Sequence, residues 1–379
     1  MLTECRLPLE QRAVAFQSTL PHTKAPFSSR AWGHGLHSLS SYQGKLKPAL
    51  AHWLLRQFTG SGDRVLDPLG GVGTVAFEAG LLGRPAFTCD LSPFASTVAR
   101  AKVAPPASSD LESEMEVFAD ELASVKLTTE DYMAAEFGLN AQVHDYYHRD
   151  TLEEVLKARR ILASSELSAS RNFIKACLLH ILHGNRPYAL SRISHPITPF
   201  SPTGPFQYRS LLERLSVRCE RLMALERPQG FIQGKSWHAD FRELPKLLPQ
   251  QVDAIICSPP FPGMRFDRPN WLRMWFCGWM ENDFHHTSRK FLERQQGTNF
   301  EVYQEFFAVC SEVTAAGGPV ILHVGGSKGY EMATRLASIG SRYLHHRATI
   351  SENVEHVEKH GIRDKGTTST HILLLFERF

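Results

Sequence analysis

The stretch from Arg64 to Ala101 constrains the fold more than any other part of the chain. Arg64-Val65-Leu66-Asp67 reads as a short buried strand running straight into Pro68-Leu69-Gly70-Gly71-Val72-Gly73-Thr74. A helical pattern follows from Thr74 to Leu82, closed by Gly83 where a left-handed C-cap suits glycine. Pro85 to Cys89 is a second strand ending at Asp90, and Ser92 with Pro93 opens a helix that runs through Ala101. Strand, glycine turn, helix, strand, acid and helix begin a doubly wound, mostly parallel α/β sheet. Ahead of it, Pro48 to Phe58 has helical periodicity, with proline in the first turn, until Gly60-Ser61-Gly62-Asp63 breaks it.

From Pro105 to about Gly230 this rhythm stops. Asp110 to Leu182 is mostly helical in pattern, Gly184 to Tyr208 is a loop rich in Pro, Arg and aromatics, and Ser210 to Leu225 is another helix. The sheet resumes with Ser236 to Ala239, Asp240 and a helical turn. Val252 to Cys257 then follows, apolar and β-branched as a central parallel strand should be. Pro319 to Val324, Tyr343 to Ile350 and His371 to Phe376 are closing strands, the last antiparallel after a polar loop with Gly366-Thr367-Thr368. The expected organisation is a first half-sheet over 1–105, a largely helical insertion over 106–233, and a second half-sheet over 234–379. That last part carries a basic and aromatic insertion at 262–300.

A chain of 379 residues, 42% hydrophobic and 21% charged, can bury a sizeable core, which excludes disordered, collagen-like and coiled-coil classes. No apolar run approaches the ~20 residues of a membrane span, and Met1 to Glu10 lacks the apolar stretch of a secretory signal. A soluble, cytoplasmic chain is expected. The net charge is +3, so a polyanion would have to be met by local clustering of cations. The seven cysteines include no Cys-x-x-Cys pair and read as incidental thiols of a reducing compartment. His285-His286 and His345-His346 lack carboxylates or cysteines at ligand spacing; they read as surface residues, and no metal is expected.

In open α/β sheets ligands bind beyond the carboxyl ends of the strands. Four such ends carry distinctive residues: Asp67 with the glycine turn, Asp90, Asp240, and Ser258-Pro259-Pro260-Phe261. The glycines admit close approach of a ligand to backbone, and the helix behind them adds partial positive charge. Asp90 stands where an acid binds ribose hydroxyls, although it also precedes Leu91-Ser92-Pro93 as a helix cap does. Two consecutive prolines after a buried strand fix the backbone and leave carbonyls to accept, with an aromatic face directly behind. That combination suits a planar group whose exocyclic amine donates hydrogen bonds; a rigid turn is the plainer alternative.

Together these residues resemble the S-adenosylmethionine-dependent amino-methyltransferases, which methylate exocyclic nitrogens of DNA bases. The resemblance covers about Leu36 to Val103 and Ser236 to Phe379. Val65 to Thr74 is similar to that family's cofactor loop, and Ser258 to Phe261 to its catalytic Ser/Asp/Asn-Pro-Pro-aromatic motif in the serine form. Ser41 to Pro48 resembles the segment that closes over the methionine moiety. The resemblance implies a class I methyltransferase, Rossmann-like fold. It implies S-adenosylmethionine as cofactor, held by Tyr42, Lys45, Asp67, Pro68, Gly70, Gly71, Gly73 and Thr74, with Asp90 on the ribose and Asp240 on the adenine amine. Catalysis would fall to Ser258, Pro259, Pro260 and Phe261. The serine side chain and the Pro259 carbonyl accept the amine hydrogens, and Phe261 stacks on a base flipped out of the duplex. Direct attack needs no thiol, so Cys257 is a strand residue. The serine form favours N4 of cytosine over N6 of adenine. Double-stranded DNA is then the partner, with a companion restriction enzyme also in view, and RNA or protein amines are the other acceptors the motif allows.

Two regions compete for DNA recognition. One is His183 to Tyr208, with Arg186 and Arg192 among Tyr188, Phe200, Phe206 and Tyr208; the other is Pro262 to Phe300, with Arg265, Arg268, Arg273, Arg289, Lys290 and Arg294 among Trp271, Trp275, Trp279 and Phe284. Basic residues interleaved with aromatics suit phosphate contact plus stacking, although tryptophans at helical spacing also suit a core. A nicotinamide-dependent oxidoreductase shares the glycine turn and the acid but leaves Ser258 to Phe261 without a role. A non-catalytic nucleic-acid-binding protein is the third class.

Overall fold

The computed structural model describes residues 7–164, 166–327, 331–354 and 368–379. Seven strands form one sheet: β1 (Val65–Asp67), β2 (Ala86–Asp90), β3 (Lys235–His238), β4 (Ala254–Cys257), β5 (Pro319–Ser327), β6 (His345–Asn353) and β7 (Thr368–Glu377). Their order is β3-β2-β1-β4-β5-β7-β6. β1 to β5 pair in parallel, and β7 lies antiparallel between β5 and β6. This is the doubly wound, Rossmann-like sheet expected from the sequence, with one antiparallel strand inserted next to its edge. Its strand order reverses between β1 and β4, and a cleft opens where the two strands end.

β1 and β4 are buried along their whole length, which requires helices on both faces. Successive side chains serve opposite layers: Val65 and Ile256 enter one apolar cluster, Leu66, Ile255 and Cys257 the other. The first layer holds Pro48–Phe58, Thr74–Leu81 and Pro93–Val103. The second holds Val302–Val313 and Met332–Gly340. Val302–Val313 buries Tyr303, Phe306, Phe307 and Cys310, an apolar stripe at helical spacing that the sequence reading passed over. It also passed over Leu9–Thr19, which buries only Leu9, Ala13 and Phe16 and lies along β6.

The helical insertion has no separate core. Ala169–Ile181 is buried continuously from Asn172 onward and packs on Pro93–Val103, with Asn172 Nδ2 donating to the Thr97 carbonyl at 3.0 Å. Ser108–Ser124, Arg149–Ile161 and Leu211–Met223 form a further layer outside it. β5 runs to Ser327, past Val324, because it pairs with β7 through to Thr368. Gly366 and Thr367 of the expected polar loop lie outside the described residues, and Thr368 itself opens β7. Among the described residues no helix is long and apolar enough to cross a membrane.

Candidate active site

Buried β1 delivers Asp67 to the cleft, and Gly70 N–H ties the following turn to the Cys89 carbonyl at 2.9 Å. Gly73 is required twice. Its φ is +70°, and a Cβ there would stand 2.9 Å from Ala99 Cβ, so only glycine lets helix Thr74–Leu81 meet Pro93–Val103 this closely. Asp90 ends β2 with Oδ2 accepting from Gly71 N at 2.9 Å and Oδ1 from Ser92 N at 2.8 Å. The helix cap itself is Ser92, whose Oγ accepts from Ala95 N, so Asp90 is left on the cleft wall.

The cleft brings together Tyr42, Lys45, Asp67, Pro68, Gly70, Gly71, Thr74 and Asp90 with Ser258 and Pro260. Two expected cofactor residues stand elsewhere. Gly73 lies behind the turn, in helix packing. Asp240 is turned away: its carboxylate accepts from Arg242 N at 2.9 Å and pairs with the Arg242 guanidinium at 3.0 Å, while its neighbours Ala239 and Phe241 line the cleft. Lys45 Nζ donates to the His37 carbonyl at 2.9 Å, anchoring its segment to the core.

Sequence reasoning missed one wall entirely. The insertion at 262–300 folds back so that Phe266, Phe291 and Glu293 complete the cleft. Phe266 stacks on Tyr42, centroids 5.5 Å apart with planes within 11°. Glu293 stands next to Arg294 in the sequence, and no local pattern there marks it as a cleft residue. Three carboxyls therefore share this space. Burial raises Asp67 to about 7, against hydrogen bonds from Leu69 and Cys257 that pull the other way. Burial likewise raises Asp90 to about 6 and Glu293 to about 8, Asp90 adding to the rise of Glu293. The Tyr42 hydroxyl is pushed up by burial, then by Asp90 and Glu293. A cation entering the cleft would relieve all four.

β4 carries Ser258-Pro259-Pro260-Phe261 at the opposite side of the switch point. The Pro260 carbonyl accepts from Gln296 Nε2 and the Phe261 carbonyl from Met264 N, both at 3.1 Å. Among the described residues the Pro259 carbonyl accepts nothing. Gly325 on β5 makes room for the Phe261 ring: a Cβ there would come within 2.5 Å of it. Cys257 is a buried strand residue.

No family model matches the chain, and neither does any curated protein. Solved structures do. TrmN from Thermus thermophilus aligns at 15% identity and TM-score 0.36, over 89% of this chain and 50% of that one. The chain thus spans about half of TrmN's length. A TehB-like SAM-dependent methyltransferase from Corynebacterium glutamicum aligns at 8% and 0.33, over 87% of each chain. The rRNA methyltransferase aviRa from Streptomyces viridochromogenes aligns at 12% and 0.35, over 91% of this chain and 90% of its own.

The residues expected on DNA divide sharply. Arg186 and Arg268 are exposed. Arg192 is spent on its own loop, donating to the Gly204 and Asp145 carbonyls and lying over the Phe206 ring. Arg265 chelates buried Asp267 at 2.9 and 2.7 Å. Arg273 must be corrected: it is 0% exposed and donates to the Leu179, Pro196 and Ile197 carbonyls and to Asn270 Oδ1, so it cannot reach a phosphate. Trp271, Trp275 and Trp279 are core, with Trp271 Nε1 donating to the Pro199 carbonyl and Trp275 Nε1 to that of Ala134. Through these bonds the two regions that seemed to compete form one packed unit. Of the other three cations expected in the second region, Arg289 and Lys290 are exposed and Arg294 is half-buried. Arg289 and Arg294 line a groove beside the Ser258 motif, Lys290 lies at the rim of the cleft itself, and none of the three forms an ion pair among the described residues.

Proposed function

We propose that this chain transfers a methyl group from S-adenosylmethionine to the exocyclic amine of a nucleic-acid base, with N4 of cytosine in DNA as the first candidate. One observation carries the reading: Ser258 and Pro260 line the same cleft as the glycine turn and Asp90. The residues suit that cofactor. Thr74 Oγ1 is buried without a partner on the cleft wall, Asp90 keeps acceptor capacity for ribose hydroxyls, and the carboxyls of Asp67, Asp90 and Glu293 favour a positively charged guest. When bound, S-adenosylmethionine supplies an electrophilic methyl group on a sulfonium.

The chain's own residues do the rest. An exocyclic amine is a weak nucleophile because its lone pair is delocalised into the ring. Ser258 Oγ and the Pro259 carbonyl accept its hydrogens and draw that pair out of conjugation, while Phe261 holds the ring face. Such a base must leave its stack, and Arg289 and Arg294 in the groove beside the motif, with Lys290 at the cleft rim, are placed to hold the backbone.

Expression in a methylation-free host, followed by sequencing of genomic DNA and nucleoside analysis of RNA, tests this. N4-methylcytosine in DNA supports the first candidate. Stabilisation by NAD without stabilisation by S-adenosylmethionine would sink the reading in favour of an oxidoreductase. An RNA acceptor is favoured by one feature: Tyr188, Phe200, Phe206 and Tyr208 are 40 to 56% exposed on one loop, as stacking surfaces for unpaired bases are.

A further inference from the structure

We propose that His323 positions Ser258 and receives, through it, the proton that the acceptor amine must lose; this rests on the methyltransferase reading above. β5 runs parallel to β4 with Leu322 paired to Cys257, so His323 stands beside Ser258. His323 Nδ1 lies 3.1 Å from Ser258 Oγ, and the hydroxyl has a second acceptor in the His323 carbonyl at 3.2 Å, so its proton is shared between the ring and the backbone of one residue. The residue is 6% exposed, and its Nε2 has no hydrogen-bond partner among the described residues. The ring of Phe261 is centred 5.7 Å away. A buried imidazole thus touches the hydroxyl of the catalytic motif and borders its stacking face.

The chemistry needs such a group. As the nitrogen–methyl bond forms and the carbon–sulfur bond breaks, its electron pair leaving with sulfur, the amine nitrogen becomes cationic and still carries its hydrogens. A serine hydroxyl accepts a hydrogen bond from it but is far too weak a base to keep a proton. With Nδ1 unprotonated, Ser258 Oγ–H donates to it and turns both oxygen lone pairs toward the amine. One amine proton then passes to Oγ while the hydroxyl's own proton passes to Nδ1. The methylated amine is left neutral and His323 leaves as imidazolium, which returns its proton to solvent on product release.

The titratable groups that face His323 are His371 on β7, its ring centred 4.7 Å away, and His22 in the turn Pro21–Thr23. Behind them Glu352 on β6 pairs with His22 at 2.9 Å, with Lys47 acting on Glu352 in turn. Burial, then His371 and His22, hold the His323 imidazole well below its ordinary value, so it rests as the neutral base.

Single-turnover transfer of labelled methyl from S-adenosylmethionine, with genomic DNA and total RNA from a methylation-free host as substrates, tests the assignment. His323→Asn keeps a polar atom near Ser258 without basicity; His323→Ala opens space for added imidazole. Both are expected to lower the rate by roughly 100-fold to 10,000-fold, the usual weight of a positioned base, with affinities for S-adenosylmethionine and nucleic acid unchanged. The rate in both should rise with pH where wild type is flat, and imidazole should restore part of the His323→Ala activity. Nitrogen-15 spectra of the resting protein should show Nδ1 of His323 unprotonated. Wild-type rates in the variants, slowing with an unchanged pH profile and no rescue, or a protonated Nδ1 each overturn the relay alone. No transfer by wild type to either nucleic acid overturns the methyltransferase reading itself.

Discussion

Asp67→Asn should make the ligand-free protein more stable, and more so as pH rises. The carboxyl is 4% exposed at the end of β1, and burial lifts it from 3.8 to about 7. In the unfolded chain it ionises near 3.8, so between that value and about 7 the folded state holds a proton that the unfolded state has released. Stability must therefore fall as pH rises through this window and level off above it. At 1.36 kcal/mol per pH unit, the raised carboxyl costs roughly 4 kcal/mol at pH 8, where it is ionised, and roughly 1.5 kcal/mol at pH 5, where it holds a proton the unfolded chain has released. Asparagine keeps an oxygen to accept from Leu69 N, now at 3.3 Å, and carries no charge to bury. Urea titrations of both proteins at the two pH values read the difference directly. The variant should gain on the order of 3 kcal/mol more at pH 8 than at pH 5, and should lose affinity for S-adenosylmethionine at pH 8. An equal gain at both pH values would show that the carboxyl is not buried as a charge. A loss of stability at pH 8 would show that it is already paired, refuting the reasoning.

The cofactor should bind less tightly in acid: affinity measured by calorimetry is expected to fall as pH drops through about 7 and about 6, where Asp67 and Asp90 take up protons, and a flat profile would remove both from the contact. Asp90→Ala should weaken S-adenosylmethionine binding by roughly 1.5–3 kcal/mol, the weight of a charge-assisted hydrogen bond, and unchanged affinity would take Asp90 out of the site. Replacing Arg289, Lys290 and Arg294 with alanine should lower the slope of log K against log salt by roughly 0.9 for each phosphate no longer neutralised. Arg273→Ala should instead leave the slope alone and cost on the order of 3 kcal/mol in stability, because its buried acceptors lose their donor. Phe261→Ala should weaken target binding by ~1–3 kcal/mol because the base has no ring to stack on. Ser258→Ala should slow single-turnover transfer with binding nearly intact, and wild-type rates in both would reduce the motif to a turn.

The fold was legible where local chemistry and tertiary demand coincide. β1, the glycine turn, Ser92-Pro93 and β4 each carry an apolar run, a cap or a turn residue that is written into adjacent positions. Leu9–Thr19 was not legible because its buried face is three residues wide and its partner, β6, lies more than three hundred residues away in sequence. Arg273 misled for the same reason. In sequence an arginine among tryptophans resembles a phosphate contact. What buries it is a set of backbone carbonyls from 179 and 196–197, whose arrival no local pattern announces.

The site follows the same division, with one difference that matters for function. The residues at strand ends were readable because the sheet fixes where they stand: Asp67 and Asp90 end β1 and β2, and Ser258 follows β4 directly, whereas Phe261 is seated by the space that Gly325 leaves. The residues that tune them came from elsewhere. Glu293 reaches the cleft from a helix in the second insertion, and His323 reaches Ser258 from the middle of β5, a position that in sequence shows only a histidine between leucine and valine. The strand-end motifs carry the proposed chemistry, whereas the charge of the cleft and the neighbour of the Ser258 hydroxyl depend on side chains that only packing brings in. The same packing ties the insertion that closes the cleft, through Phe266 on Tyr42, to the groove holding Arg289 and Arg294. Glu293 borders both spaces. On the proposed function, a nucleic acid held by those arginines would share Glu293 as a boundary with the cofactor, so coupling between the two should be read from how each changes the other's affinity.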